Sequence, residues 1–434
     1  MSPSELDLRQ TLHHDAERID ATGDFARAAI VLERRRARRR TTITAAAAVT
    51  ALAVATPMIW SNLRTGTTPA PATSSTAPVS PSPSPSPSAT ATGSPTSEEP
   101  TPAETTRPGP APTADSDAKP KVAATLGAGS ASGTPPIAYV LGGIFHDGDR
   151  RITLPATTGL RTVARLAGGG VIMVSTTDEG VSTARFLDAT GSEVARVGSQ
   201  SFTVNTDGSR VAITDAKGAV RLVDARGDVL ASLTTGDAEA RATGIWGTTV
   251  YIATIDAKGK SATLAWDTTG TSTDKVVDGS FADVHEGRSL AILWPNQEYD
   301  PGNTCYGIFD LKAGAVNHWS CGEFAPTHFT GDGAMVVGPN VADGPGSSNW
   351  KVASADDGSI LMTVAAPDGQ WSPAWRGAGS ADAIVVTPLS DRDTRQTIAS
   401  CVVSTGACTT DLAPVTVSRE DADLMRFPIT LSVN

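Results

Sequence analysis

A turn-rich unit that recurs along the C-terminal two thirds of the sequence constrains the fold more than any other feature. Its clearest copy, Asn205–Leu233, predicts three short strands, which are Arg210–Thr214, Ala219–Asp224 and Val229–Leu233. Glycine supplies positive φ in the turns between them, and aspartate bonds the turn backbone through its own side chain. Short strands joined by tight turns predict an all-β domain.

The opening part of this unit occurs six times at a spacing of about 40–46 residues, which is the period of a four-stranded propeller blade. The six copies are Leu166–Val174, Val204–Thr214, Ile245–Ala253, Val284–Leu293, Phe329–Gly338 and Trp375–Val386. The strand that follows tends to end in aspartate, as at Asp188, Asp224, Asp267 and Asp310. The repeat therefore predicts six blades.

Two remaining segments predict a seventh blade shared between the chain ends. Tyr139–Leu154 is typical of the last two strands of a blade, and Phe427–Val433 is one strand that lacks a partner pair. Joining them closes the ring and removes the open edges of the array. The predicted fold class is an all-β, seven-bladed β-propeller over residues 136–434, with N- and C-terminal strands sharing one blade.

The period, the DGSRVAIT-type turn and strand at Asp207–Thr214 and the closing aspartates together resemble the bacterial WD40-like and related propeller families. Only Trp266-Asp267 reproduces the Trp-Asp dipeptide, and no Gly-His pair opens a blade. The hydrogen-bond network of eukaryotic WD40 repeats is therefore not implied. The resemblance implies a scaffold that binds a protein or a small ligand on its top or central face.

Four cysteines in a domain outside the cytoplasm predict two disulfides. We favour Cys401–Cys408, because these residues flank the predicted hairpin turn at 404–407, and Cys305–Cys321, which fastens the irregular segment Pro295–Thr304. The alternative is a metal site formed by His318, Cys321 and His328. Its spacing fits no standard zinc pattern.

Residues 1–40 predict a cytoplasmic helical stub. Ser4 begins a capping-box-like start, and Leu8, Leu12 and Ile19 follow at helical spacing. Two interpretations stay open, a solvated juxtamembrane tail and a helix that docks a cytoplasmic regulator through these three side chains. Residues 5–40 resemble the stubs of actinobacterial anti-sigma or sigma-associated proteins, although they lack the histidine and cysteine ligands of the zinc-binding class.

Residues 41–60 carry no charge and are long enough, as a helix, to cross the hydrocarbon core of a membrane. The arginine-rich run at 34–40 places the N-terminus in the cytoplasm, and Trp60 fits the aromatic belt on the far side. We predict an uncleaved single-pass helix in the cell membrane, with the propeller extracytoplasmic. A cleaved signal peptide is the alternative.

Residues 61–135 are rich in proline, serine and threonine and hold few bulky apolar side chains. This composition predicts a disordered linker with a polyproline II bias, which would hold the propeller away from the membrane.

Residues 136–434 carry 22 basic and 34 acidic side chains, a net charge of −12. An acidic domain is a poor partner for nucleic acid, whose phosphates need a basic face. The sequence contains no phosphate-binding loop and no nucleophile elbow. These observations disfavour nucleic-acid binding and several common enzyme classes.

The remaining candidates for chemistry have simpler interpretations as turn or strand residues. Sialidase-type Asp-box turns are incomplete at Thr176–Ser182 and Ser354–Gly358, while His285-Glu286 and His328 are candidate acid–base groups. Calcium is a weak alternative at two pairs of aspartates, Asp147/Asp149 and Asp391/Asp393. We therefore predict no catalytic residue, no metal and no cofactor.

The tryptophans of the propeller region have two interpretations. They are Trp246, Trp266, Trp294, Trp319, Trp350, Trp371 and Trp375. Packing between blades is one, and an aromatic-lined recognition face is the other.

Three functions are consistent with this organisation. The preferred one is a membrane-anchored binding module for a protein or an envelope polymer, without catalysis. The second is a transmembrane signalling protein of the anti-sigma or sigma-associated type, and the third is a cell-surface glycan-active enzyme.

Overall fold

The computed structural model of the chain describes most of residues 113–433. The described residues are 113–115, 117–126, 133–155, 158–177, 180–296, 304–340, 349–365, 375–377, 382–387, 389–390, 395–418, 421 and 427–433. The predictions for residues 1–40, for 41–60 and for docking through Leu8, Leu12 and Ile19 lie outside these residues. Among the described residues, no helix has the length and apolar character needed to cross a membrane.

The described chain is built from short strands. Two strands come first, β1 (Thr113–Asp115) and β2 (Val122–Thr125), and blade 1 follows with β3 (Tyr139–Leu141), β4 (Ile144–Asp147) and β5 (Arg150–Thr153). Blade 2 holds β6 (Leu160–Arg165), β7 (Val171–Thr176), β8 (Ser182–Leu187) and β9 (Glu193–Gly198), with a 3-10 turn at Ala167–Gly169. Blade 3 holds β10 (Ser201–Val204), β11 (Arg210–Thr214), β12 (Ala219–Asp224) and β13 (Val229–Thr234).

The second half of the ring follows the same plan. Blade 4 holds β14 (Arg241–Trp246), β15 (Thr249–Ile255), β16 (Ser261–Asp267) and β17 (Thr273–Asp278). Blade 5 holds β18 (Ser280–His285), β19 (Leu290–Trp294), β20 (Thr304–Asp310) and β21 (Ala315–Gly322). Blade 6 holds β22 (His328–Phe329), β23 (Met335–Pro339), β24 (Asn349–Ser354) and β25 (Ile360–Ala365). Blade 7 holds β26 (Trp375–Gly377), β27 (Ala383–Val386), β28 (Leu389–Ser390), β29 (Arg395–Val402) and β30 (Cys408–Thr416), and β31 (Ile429–Leu431) ends the series.

Each blade is one antiparallel sheet, and blade 1 joins the two ends of the chain. Blades 2 to 4 are four-stranded meanders in chain order, whereas blade 1 has the order β31-β3-β4-β5. Tyr139 pairs with Leu431 in the register of β3 and β31. The predicted all-β fold and the blade shared between the termini are therefore confirmed.

Seven apolar clusters lie between the blades and close the ring. Six of them join successive pairs from blade 1 to blade 7. The seventh packs Tyr139, Ile429 and Leu431 of blade 1 against Val385 and Ile398 of blade 7. Every blade thus buries apolar side chains against both neighbours, which makes the molecule a closed seven-bladed propeller.

The shared blade differs from the prediction in one respect. The N-terminal segment supplies three strands to it rather than two, because Gly142 and Gly143 form a tight turn between β3 and β4. Both glycines have positive φ, 59° and 79°, a conformation that favours glycine. The C-terminal segment therefore completes the blade with the single strand β31.

The linker prediction is wrong at its C-terminal end. β1 pairs in parallel with β21 of blade 5, and β2 pairs in parallel with β25 of blade 6. Residues 113–126, here called the strap, thus add a fifth strand to each of two adjacent blades. The folded unit begins at or before residue 113 instead of residue 136, and residues 61–112 lie outside the described part.

The structure explains the aspartates that close the third strand of several blades. Asp224 Oδ1 accepts hydrogen bonds from the backbone nitrogens of Arg226 and Asp228, at 2.8 and 2.9 Å. Asp188, Asp267 and Asp310 make equivalent bonds in their own turns. The recurring aspartate is a turn-forming residue, as the sequence indicates.

Both predicted disulfides are present. Cys305 and Cys321 are cross-strand neighbours on β20 and β21, and Cys401 and Cys408 face each other across β29 and β30. The alternative metal site at His318, Cys321 and His328 is wrong, because the Cys321 thiol is consumed by its disulfide.

Candidate binding face

Equivalent turns of successive blades lie on the same face of the ring. Arg210, at the first turn of blade 3, donates to the carbonyl of Gly247 in the first turn of blade 4. The Gly247 nitrogen donates in turn to Glu286 in the first turn of blade 5. We call this side the hairpin face. Because neighbouring strands run in opposite directions, the connections from second to third strands and from blade to blade lie on the opposite side, the loop face.

The loop face is asymmetric in the length of its connections. Blades 3 and 4 join their second and third strands through 215–218 and 256–260. Blades 5 and 6 use the longer segments 295–303 and 340–348, and blade 6 leads into blade 7 through 366–374. The middle of each long segment lies outside the described residues, whereas the stems of the first two are described.

The stem of the 295–303 connection is held on both sides. Asn296 accepts a hydrogen bond from the Ser261 nitrogen at 2.7 Å and donates to the Ser261 carbonyl at 2.6 Å. Trp294 Nε1 donates to the Pro326 carbonyl at 3.1 Å. The Cys305–Cys321 disulfide lies where the chain re-enters the sheet. This connection therefore leaves and rejoins the blade at fixed points.

The stem of the 340–348 connection is fixed as well. The Asn340 nitrogen donates to the Asn349 carbonyl at 3.0 Å, which closes the base of the connection. The Asn340 side chain donates to Glu323 at 3.2 Å. Neighbouring blades therefore hold both long stems in register, and fixed stems on a rigid sheet are typical of binding loops.

The candidate acid–base pair His285-Glu286 lies on the hairpin face and joins blades. His285 Nε2 is 3.1 Å from the Gly331 carbonyl, and His285 Nδ1 accepts from the Arg288 nitrogen. Glu286 accepts from Gly247 at 3.3 Å and pairs with Arg210 at 3.5 Å. Both ring nitrogens are thus engaged, and the Nε2 contact with Gly331 and the contacts of the Glu286 carboxylate fasten adjacent blades.

His328 lies apart from that pair, on the innermost strand of blade 6. Its Nδ1 is 3.9 Å from Asp283 Oδ2 in blade 5, and the same carboxylate oxygen accepts a hydrogen bond from the Phe329 nitrogen at 2.9 Å. His328 therefore contacts the Asp283 carboxylate of the neighbouring blade.

The Asp-box-like turns are stabilised by hydrogen bonds within each turn. Thr176 and Ser182 share a hydrogen bond at 2.8 Å, and the intervening Asp178 lies outside the described residues. In the other turn, Ser354 Oγ accepts from the nitrogens of Asp356 and Asp357. These contacts are ordinary turn chemistry.

One pair of calcium candidates, Asp147 and Asp149, lies among the described residues. Asp147 pairs with Arg165 at 3.4 Å, and Asp391 and Asp393 lie outside the described residues. Within the described ranges, no group of three or more His, Cys, Asp or Glu side chains is suited to hold a metal ion.

Sequence reasoning missed a cluster of buried polar groups between blades 5 and 6. Tyr306, His318 and Ser320 are almost fully buried, and within the described part of the chain neither ring nitrogen of His318 has a hydrogen-bond partner. Burial lowers the pKa of His318, an effect that the nearby Asp357 and Asp356 carboxylates oppose. Burial raises the pKa of Tyr306 to about 12. The available signal in the sequence was a histidine within the uncharged run 313–322.

The described tryptophans pack between blades. Trp266 and Trp350 are fully buried in the clusters that join blades 3 and 4 and blades 6 and 7. Trp246, Trp294 and Trp319 are half-buried against the clusters beside blade 5. The packing interpretation is confirmed for these five; Trp371 and the Trp375 side chain lie outside the described part.

The chain is similar to several solved structures at low sequence identity. No family model matches the chain, and no curated protein matches it. Among solved structures, an uncharacterised protein of Listeria monocytogenes is 12% identical with a TM-score of 0.44, over 61% of this chain and 86% of that one. The β-propeller domain of Cps50 from Myceliophteria thermophila is 9% identical with a TM-score of 0.42, over 64% and 88%. The C-terminal WD40 domain of Sif2 is 10% identical with a TM-score of 0.37, over 62% and 93%.

All three TM-scores lie below 0.5. The propeller fold of this chain therefore rests on its own seven sheets and seven inter-blade clusters.

Proposed function

We propose that this protein is a membrane-anchored binding module whose loop face, on blades 5 to 7, binds a protein or an envelope polymer outside the cell. The observation that carries the proposal is the asymmetry of the loop face. Long connections are concentrated on adjacent blades, and the described stems are fixed by a disulfide and by hydrogen bonds between blades. A rigid scaffold that presents long loops on one side is typical of recognition domains.

The proposal places no catalysis on the propeller. The acid–base candidates of the sequence serve inter-blade contacts, as His285 and Glu286 show on the hairpin face. The charge of the domain favours a neutral or basic partner over nucleic acid, because an acidic surface repels phosphates. The predicted helix at 41–60 and the predicted linker after it would hold the domain outside the membrane.

Shortening one long connection tests the proposal. Because the Asn340 nitrogen bonds the Asn349 carbonyl, residues 341–348 can be replaced by the two-residue turn Asn-Gly, which closes an antiparallel hairpin. The full chain and this variant are each used to capture partners from solubilised envelopes of the host. The control is Thr248→Trp, a bulky change at an exposed position of the hairpin face.

We expect the control to capture the same partner as the full chain and the shortened variant to lose it. Thermal unfolding of both variants checks that the ring is intact. Equal capture by a folded shortened variant, or loss of capture by Thr248→Trp, would place recognition elsewhere.

A further inference from the structure

The strap is a separate element that the chain lays along the outside of its own ring. Ala123 pairs with Thr363 in the parallel register of β2 and β25, and Ala114 pairs with Ser320 in that of β1 and β21. The pairing is extended at both ends of β2, where Lys121 N donates to Ile360 O and Leu126 N donates to Ala365 O.

The strap fills two clefts between blades. Ala124 and Leu126 are buried with Val403 of blade 7 in the cluster that joins blades 6 and 7. β1 lies beside the third turn of blade 6, where a Cβ on Gly358 would come within 2.9 Å of Ala114 Cβ and 3.1 Å of His318. The strap thus covers an apolar groove and the buried polar cluster.

One carboxylate fastens the strap between its two strands. Asp117 Oδ1 accepts from the Glu323 nitrogen at 2.9 Å and from Lys351 Nζ at 3.1 Å. Asp117 therefore contacts the end of blade 5 and the third strand of blade 6. The groove thus matches the strap in backbone pairing, apolar side chains and charge.

The strap is nevertheless held by short ladders at the edges of two sheets. β1 pairs through three residues and β2 through four, each with one neighbouring strand. Segments with few ladder bonds open at lower cost than central strands. The following residues, 127–132, read Gly-Ala-Gly-Ser-Ala-Ser and hold no side chain larger than serine.

When the strap leaves its groove, the groove can bind another copy of the same sequence. The edges β21 and β25 would present unpaired backbone groups, which attract another extended strand. The segment whose fit to this groove is established is 113–126 itself, and every further copy of the chain carries it. Reciprocal exchange between two copies restores all contacts of both grooves, which makes it a low-cost route to a dimer.

We propose that the strap is an intermolecular fastener: the groove on blades 5 to 7 accepts residues 113–126 of a second copy of this chain, and two copies exchange straps reciprocally. This interaction uses the outer rim of the ring and is independent of the binding face.

Single-cysteine variants of the full chain test the exchange. One copy carries Ala123→Cys and the other carries Thr363→Cys, with different affinity tags, and both are produced in the same cells. The native cysteines resolved here are all in disulfides, so they do not compete. A chain carrying both substitutions checks the register, and a pair of copies with Ala118→Cys and Thr363→Cys is the matched control, since Ala118 is exposed and not opposite Thr363.

We expect a disulfide-linked dimer that carries both tags from the Ala123→Cys and Thr363→Cys pair, and none from the Ala118→Cys control. An internal disulfide in the doubly substituted chain without a linked dimer would overturn the proposal, since the strap would then stay on its own ring. Equal linking in the control, or a doubly substituted chain that forms neither an internal nor an intermolecular disulfide, would overturn it as well.

Discussion

His318 shows at the residue scale how a propeller strand can hold a titratable group away from water. His318 is 3% exposed, and neither nitrogen of its imidazole is hydrogen-bonded within the described chain. It lies beside Gly358 in the third turn of blade 6, and the carboxylates of Asp356 and Asp357 are nearby. Desolvation disfavours the charged imidazolium and keeps the ring neutral.

This burial predicts a pH dependence of stability. The folded-state pKa of His318 is lowered, so the unfolded chain binds this proton more readily than the folded chain. The His318 contribution to stability is present above the ordinary histidine pKa of about 6.5. It is lost as the pH falls through the lowered folded-state pKa. The free energy of unfolding in urea should therefore fall from about pH 7.5 to about pH 5, and less so in His318→Phe.

The control for this measurement is Ser320→Ala, which changes the same buried cluster without removing a titratable group. It should keep the pH dependence of the unaltered chain. An equal fall in stability in His318→Phe and in the unaltered chain would show that His318 does not contribute to it.

At the scale of the element, the closing strand β31 completes blade 1 and packs it against blade 7. Leu431 is 2% exposed and packs against Val385 and Ile398 of blade 7. Leu431→Ala should lower the free energy of unfolding by about 2–5 kcal/mol, since removing a fully buried leucine side chain leaves a cavity between blades 1 and 7. Urea unfolding measures the change.

Leu230→Ala on β13 is the matched control, because Leu230 is 55% exposed on the outermost strand of blade 3. It should change the free energy of unfolding by no more than about 0.5 kcal/mol. Similarly small changes in the free energy of unfolding for both variants would mean that β31 does not hold blades 1 and 7 together.

The elements that the sequence predicts well are those whose signal is local. The strands at Arg210–Thr214 and Ala219–Asp224 are found as predicted, because the turns around them require aspartate and glycine at fixed places. The disulfide Cys401–Cys408 followed from a hairpin turn for the same reason. Such signals depend on residues close together in the sequence, so they can be recognised before the fold is known.

The elements that it misses depend on distant partners. The strap strands Thr113–Asp115 and Val122–Thr125 consist mostly of small residues beside prolines, and their pairing depends on edges in blades 5 and 6. The burial of His318 depends likewise on the turn of blade 6 and on the strap. Composition predicted disorder for the strap, and the sequence offered His318 only as a ligand of the alternative metal site. Neither contact is encoded locally.

At the scale of the whole molecule, the ring combines a uniform scaffold with one distinctive side. Seven inter-blade clusters close it, and the chain ends meet in blade 1. The strap reinforces blades 5 and 6, and the fixed stems of the long connections lie on these blades as well. The strap and the proposed recognition surface thus lie on the same blades of the ring.

The most direct test of the proposed binding face is photo-crosslinking in intact cells of the host. The full chain carries p-benzoylphenylalanine either at Pro295, at the stem of a long connection on the loop face, or at Thr248 on the hairpin face. We predict that the chain with the photoreactive group at Pro295 forms a discrete crosslinked product with a protein or envelope polymer, whereas the chain with the group at Thr248 does not. Crosslinking from Thr248 in its place, or to the same partner with equal yield from both positions, would contradict recognition through the loop face.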